Sequence, residues 1–131
     1  MRVLLDTHIL LWALAEPRRL DRGLRATIES SDTEVLFSAA SIWEIAIKSG
    51  LGRSDFALDA EEIAQAALDT GFTEVAVRAK AAALVARLPL LHRDPFDRVL
   101  VAQAILEPAT LYTADQQLVP YSDLVRHVGS T

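Results

Sequence analysis

Short segments of strand pattern alternate along this chain with longer segments of helical pattern, and the first of them is an apolar run that ends at Asp6. The strand segments occupy residues 2–6, 35–37, 73–76, 110–113 and 124–128. Helical patterns occupy residues 7–15, 20–30, 39–49, 59–70, 77–87 and 94–107, with a short helical turn at 115–118, and most of them end at a glycine or a proline. The alternation predicts a single α/β domain over residues 1–131, with a mainly parallel central sheet and helices on both faces.

Composition restricts the chemistry that this domain can perform. The chain has 131 residues, no cysteine and a formal net charge of −5. Without cysteine there is no disulfide scaffold, thiolate metal site or thiol nucleophile, and a reducing, cytoplasmic setting is expected. The longest apolar run, residues 9–15, has seven residues, far fewer than the ~20 that cross a bilayer. Catalysis must therefore use oxygen, imidazole or a metal ion.

Four acidic residues are predicted to meet at one edge of the sheet. Asp6 ends the first strand, Asp115 follows the strand 110–113, and Glu44 and Asp97 lie within the first two turns of their helices. Ligands of open α/β sheets bind outside the carboxyl ends of the strands. Because clustered carboxylates repel one another, the pattern predicts a Mg²⁺ or Mn²⁺ ion there. With such an ion bound, the acidic net charge does not exclude an anionic substrate.

Each of these acids also has a structural interpretation. Asp6 and Asp115 are suited to capping the helical segments that follow them. Glu44 precedes Lys48 by four residues, which is the favoured spacing of a surface ion pair. Asp97 fits the third position of a capping box, although the rest of its helix face is apolar. Taken together at one edge, the four acids favour the metal site.

The same acids lie in four ordered motifs. The motifs are Leu4-Leu5-Asp6-Thr7-His8, Ser38 with Ser41-Ile42-Trp43-Glu44-Ile45, His92-Arg93-Asp94-Pro95-Phe96-Asp97-Arg98, and Leu111-Tyr112-Thr113-Ala114-Asp115. They resemble the four acidic motifs of PIN-domain nucleases, and in particular those of VapC-type toxins from bacterial toxin–antitoxin pairs. Each motif alone is weak, but four in the right order over residues 4–115 are specific.

The resemblance implies a three-layer α/β/α fold and a Mg²⁺- or Mn²⁺-dependent endoribonuclease that hydrolyses RNA with a metal-activated water. The residues that it implies for the site are Asp6, Glu44, Asp97 and Asp115 as metal ligands, Thr113 as a nearby hydroxyl and Asp94 as an additional acid. From the residues alone, Asp94 is predicted to cap its helix. The resemblance further implies a cognate antitoxin whose tail lies across the active-site groove, and a homodimer.

Two other functions are compatible with the pattern. One is a catalytically silent domain of the same fold that binds RNA or protein. The other is a Mg²⁺-dependent phosphoryl-transfer enzyme, which is disfavoured because Asp6-Thr7-His8 lacks a second acid and the chain has no glycine-rich phosphate loop.

Three arginines are candidates for phosphate contact. Arg18, Arg22 and Arg25 fall at positions i, i+4 and i+7 of the predicted second helix, which places their guanidinium groups on one face. The alternative is a solvated helix face without a ligand.

Aromatic and histidine side chains receive structural interpretations. Trp12 and Trp43 lie in apolar helical segments and are predicted to be core residues, with Trp12 also able to form part of a groove for a partner helix. His8, His92 and His127 do not have the clustered spacing of a metal site, and no chemistry is assigned to them.

Overall fold

A computed structural model describes residues 1–52 and 58–129 of the chain. The strands are β1 (Arg2–Leu5), β2 (Glu34–Ser38), β3 (Thr73–Val75), β4 (Thr110–Thr113) and β5 (Val125–His127). The α-helices are α1 (Thr7–Ala15), α2 (Arg22–Glu29), α3 (Ala39–Gly50), α4 (Ala60–Thr70), α5 (Ala79–Leu84) and α6 (Pro95–Leu106). Short 3₁₀ turns are formed by Pro17–Arg19, Val85–Arg87 and Gln116–Tyr121.

The sheet is parallel throughout, with the strand order β3-β2-β1-β4-β5. The predicted parallel sheet is therefore confirmed. From β1 the chain moves outward through β2 to β3, and it then crosses to the other side of β1 to add β4 and β5. Strand order thus reverses between β1 and β4, and α/β domains bind ligands at the carboxyl ends of the strands at such a point.

Two hydrophobic clusters cover the two faces of the sheet. Val3 and Leu5 of β1 pack into one cluster with residues of α1, α2 and α4. Leu4 points to the opposite face and packs with residues of α6 and β4. Because β1 is buried on both faces, it reads as a continuous apolar run. The structure confirms the three-layer α/β/α fold.

Helix α2 begins later than the sequence pattern predicts. The three candidate arginines therefore do not all lie on one helix. Leu20 is extended, and Asp21 caps α2 by accepting a hydrogen bond from Leu24 N at 2.8 Å. Arg18 therefore belongs to the preceding 3₁₀ turn, so the predicted single helix face that joins it to Arg22 and Arg25 is wrong. Helix α5 is likewise shorter than predicted, because residues 85–87 continue it as a 3₁₀ turn.

The two tryptophans differ in their surroundings. Trp12 is half-buried against the core, and the guanidinium of Arg19 lies 4.3 Å from its ring. Trp43 is 63% exposed, so its predicted core position is wrong. The reason is that Glu44, Ser41 and Ile45 occupy the buried face of α3, which turns Trp43 outward.

Among the described residues, no helix is both long and apolar enough to cross a membrane.

Candidate active site

Asp6 lies at the carboxyl end of β1 and is almost completely buried, with 3% of its surface exposed. Its Oδ1 accepts a hydrogen bond from Ile9 N at 2.9 Å and caps α1. Its Oδ2 accepts from Thr113 Oγ1 at 2.6 Å and from Ala114 N at 2.9 Å. Burial raises the pKa of Asp6, and these hydrogen bonds oppose the rise. Asp6 therefore caps a helix and also joins β1 to the end of β4.

Thr113 connects Asp6 to Asp115 across the switch point. Its hydroxyl donates to Asp6 and accepts a hydrogen bond from Asp115 N at 2.9 Å. Asp115 uses Oδ1 to accept from Gln117 N at 2.9 Å, which caps the following 3₁₀ turn. The capping interpretation of Asp115 is thus correct, and the same residue still directs Oδ2 towards the site.

Glu44 enters the site from the buried face of α3, and only 2% of its surface is exposed. Its Oε1 accepts a hydrogen bond from Thr7 Oγ1 at 2.6 Å. Its Oε2 pairs with Lys48, whose Nζ also lies 3.8 Å from Asp94 Oδ2. The Glu44–Lys48 pair predicted from their spacing is therefore present, but it is buried beside the other acids instead of lying on the surface.

Asp94 caps α6, as predicted. Its Oδ1 accepts hydrogen bonds from Phe96 N at 2.9 Å and Asp97 N at 3.3 Å, and Pro95 occupies the first helical position. The cap fixes the first turn of α6 and with it the position of the Asp97 side chain.

Asp97 is the acid whose ionisation is most disturbed by the others. Its pKa is raised to about 7, first because of burial and then because of the charges of Asp94, Asp6 and Glu44. A contact with His92 partly offsets this rise. Asp6 and Glu44, two of the acids predicted to converge with Asp97, are therefore close enough to repel it.

His92 joins the remaining acid to this group. Its Nε2 lies 3.1 Å from Asp97 Oδ2 and 3.1 Å from Asp115 Oδ2. Sequence analysis missed this residue because its partners lie five and 23 positions further along the chain, outside any local metal-binding spacing. We refer to Asp6, Glu44, Asp94, Asp97 and Asp115 as the carboxylate cluster.

Three side chains at this edge of the sheet form a group that could hold a divalent cation. His92, Asp94 and Asp97 each offer a ligand atom, and these atoms lie within 4.8 Å of one another. Lys48 is shared between Glu44 and Asp94, and after burial the charges of Asp94, Asp6 and Glu44 also raise the pKa of Asp97. Oxygen ligands with an adjacent imidazole are suitable for Mg²⁺, Mn²⁺ or a related ion.

The candidate arginines lie elsewhere on the described surface. Arg22 is exposed on α2 and Arg25 is half-buried one turn further on, while Arg18 is exposed in the 3₁₀ turn before α2. Their placement is compatible with phosphate contact, which stays a prediction.

Comparisons with known proteins extend over nearly the whole chain. The PIN domain family model matches residues 3–123. Ribonuclease VapC22 of Mycobacterium tuberculosis (strain ATCC 25618 / H37Rv) is 34% identical in an alignment of 120 positions that covers 88% of this chain and 88% of the relative.

Two solved structures share the fold at lower identity. VapBC2 from Rickettsia felis, bound to a DNA fragment from its promoter, aligns with a TM-score of 0.71 and 16% identity, over 98% of this chain and 99% of that chain. VapBC-5 from Mycobacterium tuberculosis, a member of the VapBC family of toxin-antitoxin systems, aligns with a TM-score of 0.63 and 18% identity over 98% of both chains. Together with the family model and the curated relative, the fold and the ordered acidic motifs show that this chain belongs to the PIN-domain family, in its VapC branch.

Proposed function

We propose that this chain is a metal-dependent endoribonuclease toxin that hydrolyses RNA phosphodiester bonds and is neutralised by a cognate antitoxin. The observation that carries the proposal is the carboxylate cluster at the switch point of the sheet, in which mutual repulsion contributes to an Asp97 pKa of about 7. Carboxylates held this close together repel one another when they are ionised, and a bound cation removes that repulsion. The ribonuclease name of the curated relative supports RNA as the substrate.

The proposed ligands are Asp6, Glu44, Asp97 and Asp115, either directly or through water. A Mg²⁺ or Mn²⁺ ion held there would supply a more acidic water and neutralise charge on the phosphate. The protein holds the ligands in place beforehand. Thr113 fixes Asp6 by a 2.6 Å hydrogen bond, and a hydrogen bond of the same length from the Thr7 hydroxyl fixes Glu44. Such support reduces the reorganisation needed when the cation and the substrate bind.

Paired Asp-to-Asn variants test the catalytic role of the cluster. Asp6 and Asp21 both cap helices through a backbone N–H three residues on, at 2.9 and 2.8 Å. Asparagine also caps helices well, so both variants keep the cap. In Asp6→Asn the amide nitrogen cannot accept from Ala114 N, so circular dichroism must show that this variant is folded. Asp6→Asn should abolish cleavage of a defined RNA in Mg²⁺ or Mn²⁺, whereas Asp21→Asn should cut at the wild-type rate. EDTA should stop wild-type cleavage.

The silent binding domain makes the opposite prediction. It would bind RNA without cutting it under any divalent metal, and Asp6→Asn would leave its effect on growing cells unchanged. Cleavage by the wild type that survives exhaustive chelation would also contradict the proposed mechanism.

RNA contact by the arginines is a separate part of the proposal. Arg22→Ala should weaken RNA binding and lower the slope of log affinity against log salt by about one unit, because one phosphate contact is lost. Single-turnover cleavage at saturating enzyme should stay close to wild type. Arg18 and Arg25 can be tested in the same way, and unchanged slopes for all three would show a solvated surface.

A second copy of the chain is the proposed partner of the exposed face of α3. Trp43, Ile47 and Leu51 repeat every four residues along this face and are 63%, 37% and 72% exposed. Trp43 also forms one wall of an apolar cleft of about 190 Å³ with Phe96 and Val77. An apolar strip of this kind is typical of a subunit interface.

Sedimentation velocity tests this interface directly. Trp43→Ser should shift the protein from dimer to monomer, because it removes the largest apolar side chain of the strip. Leu68→Ser provides the control, since Leu68 is an exposed apolar residue on α4. A wild type that sediments as a monomer would contradict the homodimer.

The antitoxin is proposed from the family, and Trp12 offers a place for it. Trp12 is half-buried on α1 beside Arg19, which gives a surface that is both apolar and cationic. Co-expression of the gene that accompanies this one should restore growth in cells that express the wild-type chain. Continued growth arrest despite a stable complex would contradict neutralisation.

A further inference from the structure

His92 holds one imidazole nitrogen between two acids of the carboxylate cluster. Nε2 lies 3.1 Å from Asp97 Oδ2 and 3.1 Å from Asp115 Oδ2. A ring nitrogen carries at most one proton, so it cannot donate a full hydrogen bond to both oxygens. A cation shared by this nitrogen and Asp97 Oδ2 would satisfy both atoms.

The 3.1 Å separation between His92 Nε2 and Asp97 Oδ2 matches the spacing of neighbouring ligands around one metal ion. When ligands lie about 2.1 Å from an octahedral ion, two of them at right angles are about 3.0 Å apart. Asp94 also offers an oxygen, within 4.8 Å of the ligand atoms of His92 and Asp97. The imidazole therefore lies in a position suitable for a metal ligand. A residue that only oriented Asp97 would not need to lie this close to Asp115 as well.

The loop that carries His92 is anchored. The backbone N–H groups of Leu91 and His92 both donate to Tyr121 Oη at 3.0 Å. The imidazole itself is mostly buried. Because its backbone is held by a residue of the 3₁₀ turn that follows Asp115, His92 is fixed relative to that acid.

We propose that His92 donates Nε2 as a nitrogen ligand to a cation held by Asp94 and Asp97. The site is then a mixed nitrogen and oxygen centre, which goes beyond the all-carboxylate site proposed above and rests on that proposed function. Imidazole is a better ligand for transition metals than for Mg²⁺, which favours oxygen. His92 thus makes the site selective for Mn²⁺ or a related transition metal over Mg²⁺.

Pulsed electron paramagnetic resonance of the Mn²⁺-loaded protein tests the ligand directly. Wild type should show modulation from a coordinated nitrogen, and His92→Gln should lose it. His127→Gln is the matched control, because His127 is an exposed residue of β5, and it should keep the modulation. Labelling the histidines of the wild type with the heavier nitrogen isotope should change the pattern, and this measurement needs no variant. Absence of nitrogen coupling in the wild type, or its survival in His92→Gln, would overturn the proposal.

Calorimetric titration with Mn²⁺ and with Mg²⁺ tests the selectivity. His92→Gln should lower the Mn²⁺ affinity about tenfold or more and the Mg²⁺ affinity by a smaller factor. Equal losses for both ions would show that His92 only positions the carboxylates. If the wild type binds metal and cuts RNA without nitrogen coupling, only the His92 proposal fails. If it binds no divalent metal, the proposed function fails as well.

Discussion

Replacing Asp97 with asparagine should stabilise the metal-free protein near neutral pH. Asp97 is mostly buried, and its pKa is raised from 3.8 to about 7 by burial and by the neighbouring charges of Asp94, Asp6 and Glu44. Ionised Asp97 is therefore unfavourable in the folded chain, whereas it is solvated in the unfolded chain. An asparagine side chain has a similar shape and no charge, and the backbone N–H at this position can still be capped by Asp94.

The magnitude follows from the linkage between proton binding and folding. Each pKa unit corresponds to ~1.4 kcal/mol, so a rise from 3.8 to about 7 destabilises the ionised folded state by up to about 4 kcal/mol. Because the folded pKa is the higher one, stability is greatest below about pH 4 and falls as the pH rises to about 7. The advantage of Asp97→Asn should therefore be about 4 kcal/mol near pH 8 and about 2 kcal/mol near pH 5.

Urea denaturation in EDTA, followed by circular dichroism near pH 5 and near pH 8, measures this difference. Asp69→Asn is the control, because it makes the same chemical change at an exposed carboxylate of α4. It should leave the free energy of unfolding within ~0.5 kcal/mol of wild type at both pH values. The same samples should show that Asp97→Asn no longer cuts RNA.

Two results would refute the reasoning. One is an Asp97→Asn variant that is less stable than wild type near pH 8, which would show that the carboxylate stabilises the fold. The other is a difference between variant and wild type that does not change with pH.

Addition of Mn²⁺ at about 100 times its Kd should stabilise wild type by ~2.7 kcal/mol and Asp97→Asn by much less.

Three further predictions concern the groups around the acids. Thr113→Val should lower the free energy of unfolding by about 1–3 kcal/mol, because Asp6 Oδ2 loses its shortest hydrogen bond. Unchanged urea denaturation would show that this contact does not stabilise the fold. Lys48→Met should destabilise the metal-free protein by ~3 kcal/mol, because it leaves Glu44 buried without its cationic partner, and a neutral result would contradict that pairing. Mn²⁺ affinity, measured by calorimetry, should fall by at least about tenfold per pH unit below about pH 7, because protonation of Asp97 competes with the metal. A flat profile would refute the raised pKa.

The parallel sheet and the positions of the acids could be predicted because both depend on local pattern. An apolar run followed by Asp6 and another followed by Asp115 are visible in the sequence, and parallel strands bring their carboxyl ends to the same edge. The choice between a structural and a catalytic acid could not be made in this way. In the structure, Asp6 and Asp115 cap helical segments and also face the cluster, so the two interpretations do not exclude each other.

The orientation of α3 shows why apolar pattern can mislead near a site. Trp43 is more hydrophobic than Glu44, and the sequence therefore favours a buried tryptophan. The structure has the opposite arrangement, because Thr7 and Lys48 supply partners for the buried carboxylate. A helix that carries a buried acid such as Glu44 must turn some of its apolar residues outward, and those residues become available to a partner.

The role of His92 could not be found from local spacing, because it depends on contacts between distant parts of the chain. Tyr121 holds the loop from 29 residues away, and Asp115 approaches from beyond β4. Of the acids in the cluster, Asp6 and Glu44 have both carboxylate oxygens occupied by protein donors, whereas Oδ2 of Asp97 and Oδ2 of Asp115 share one imidazole. A cation that binds at Asp97 and His92 therefore breaks few existing hydrogen bonds. The cation would also stabilise the ionised form of Asp97, whose pKa is raised to about 7. Metal binding therefore favours loss of the Asp97 proton.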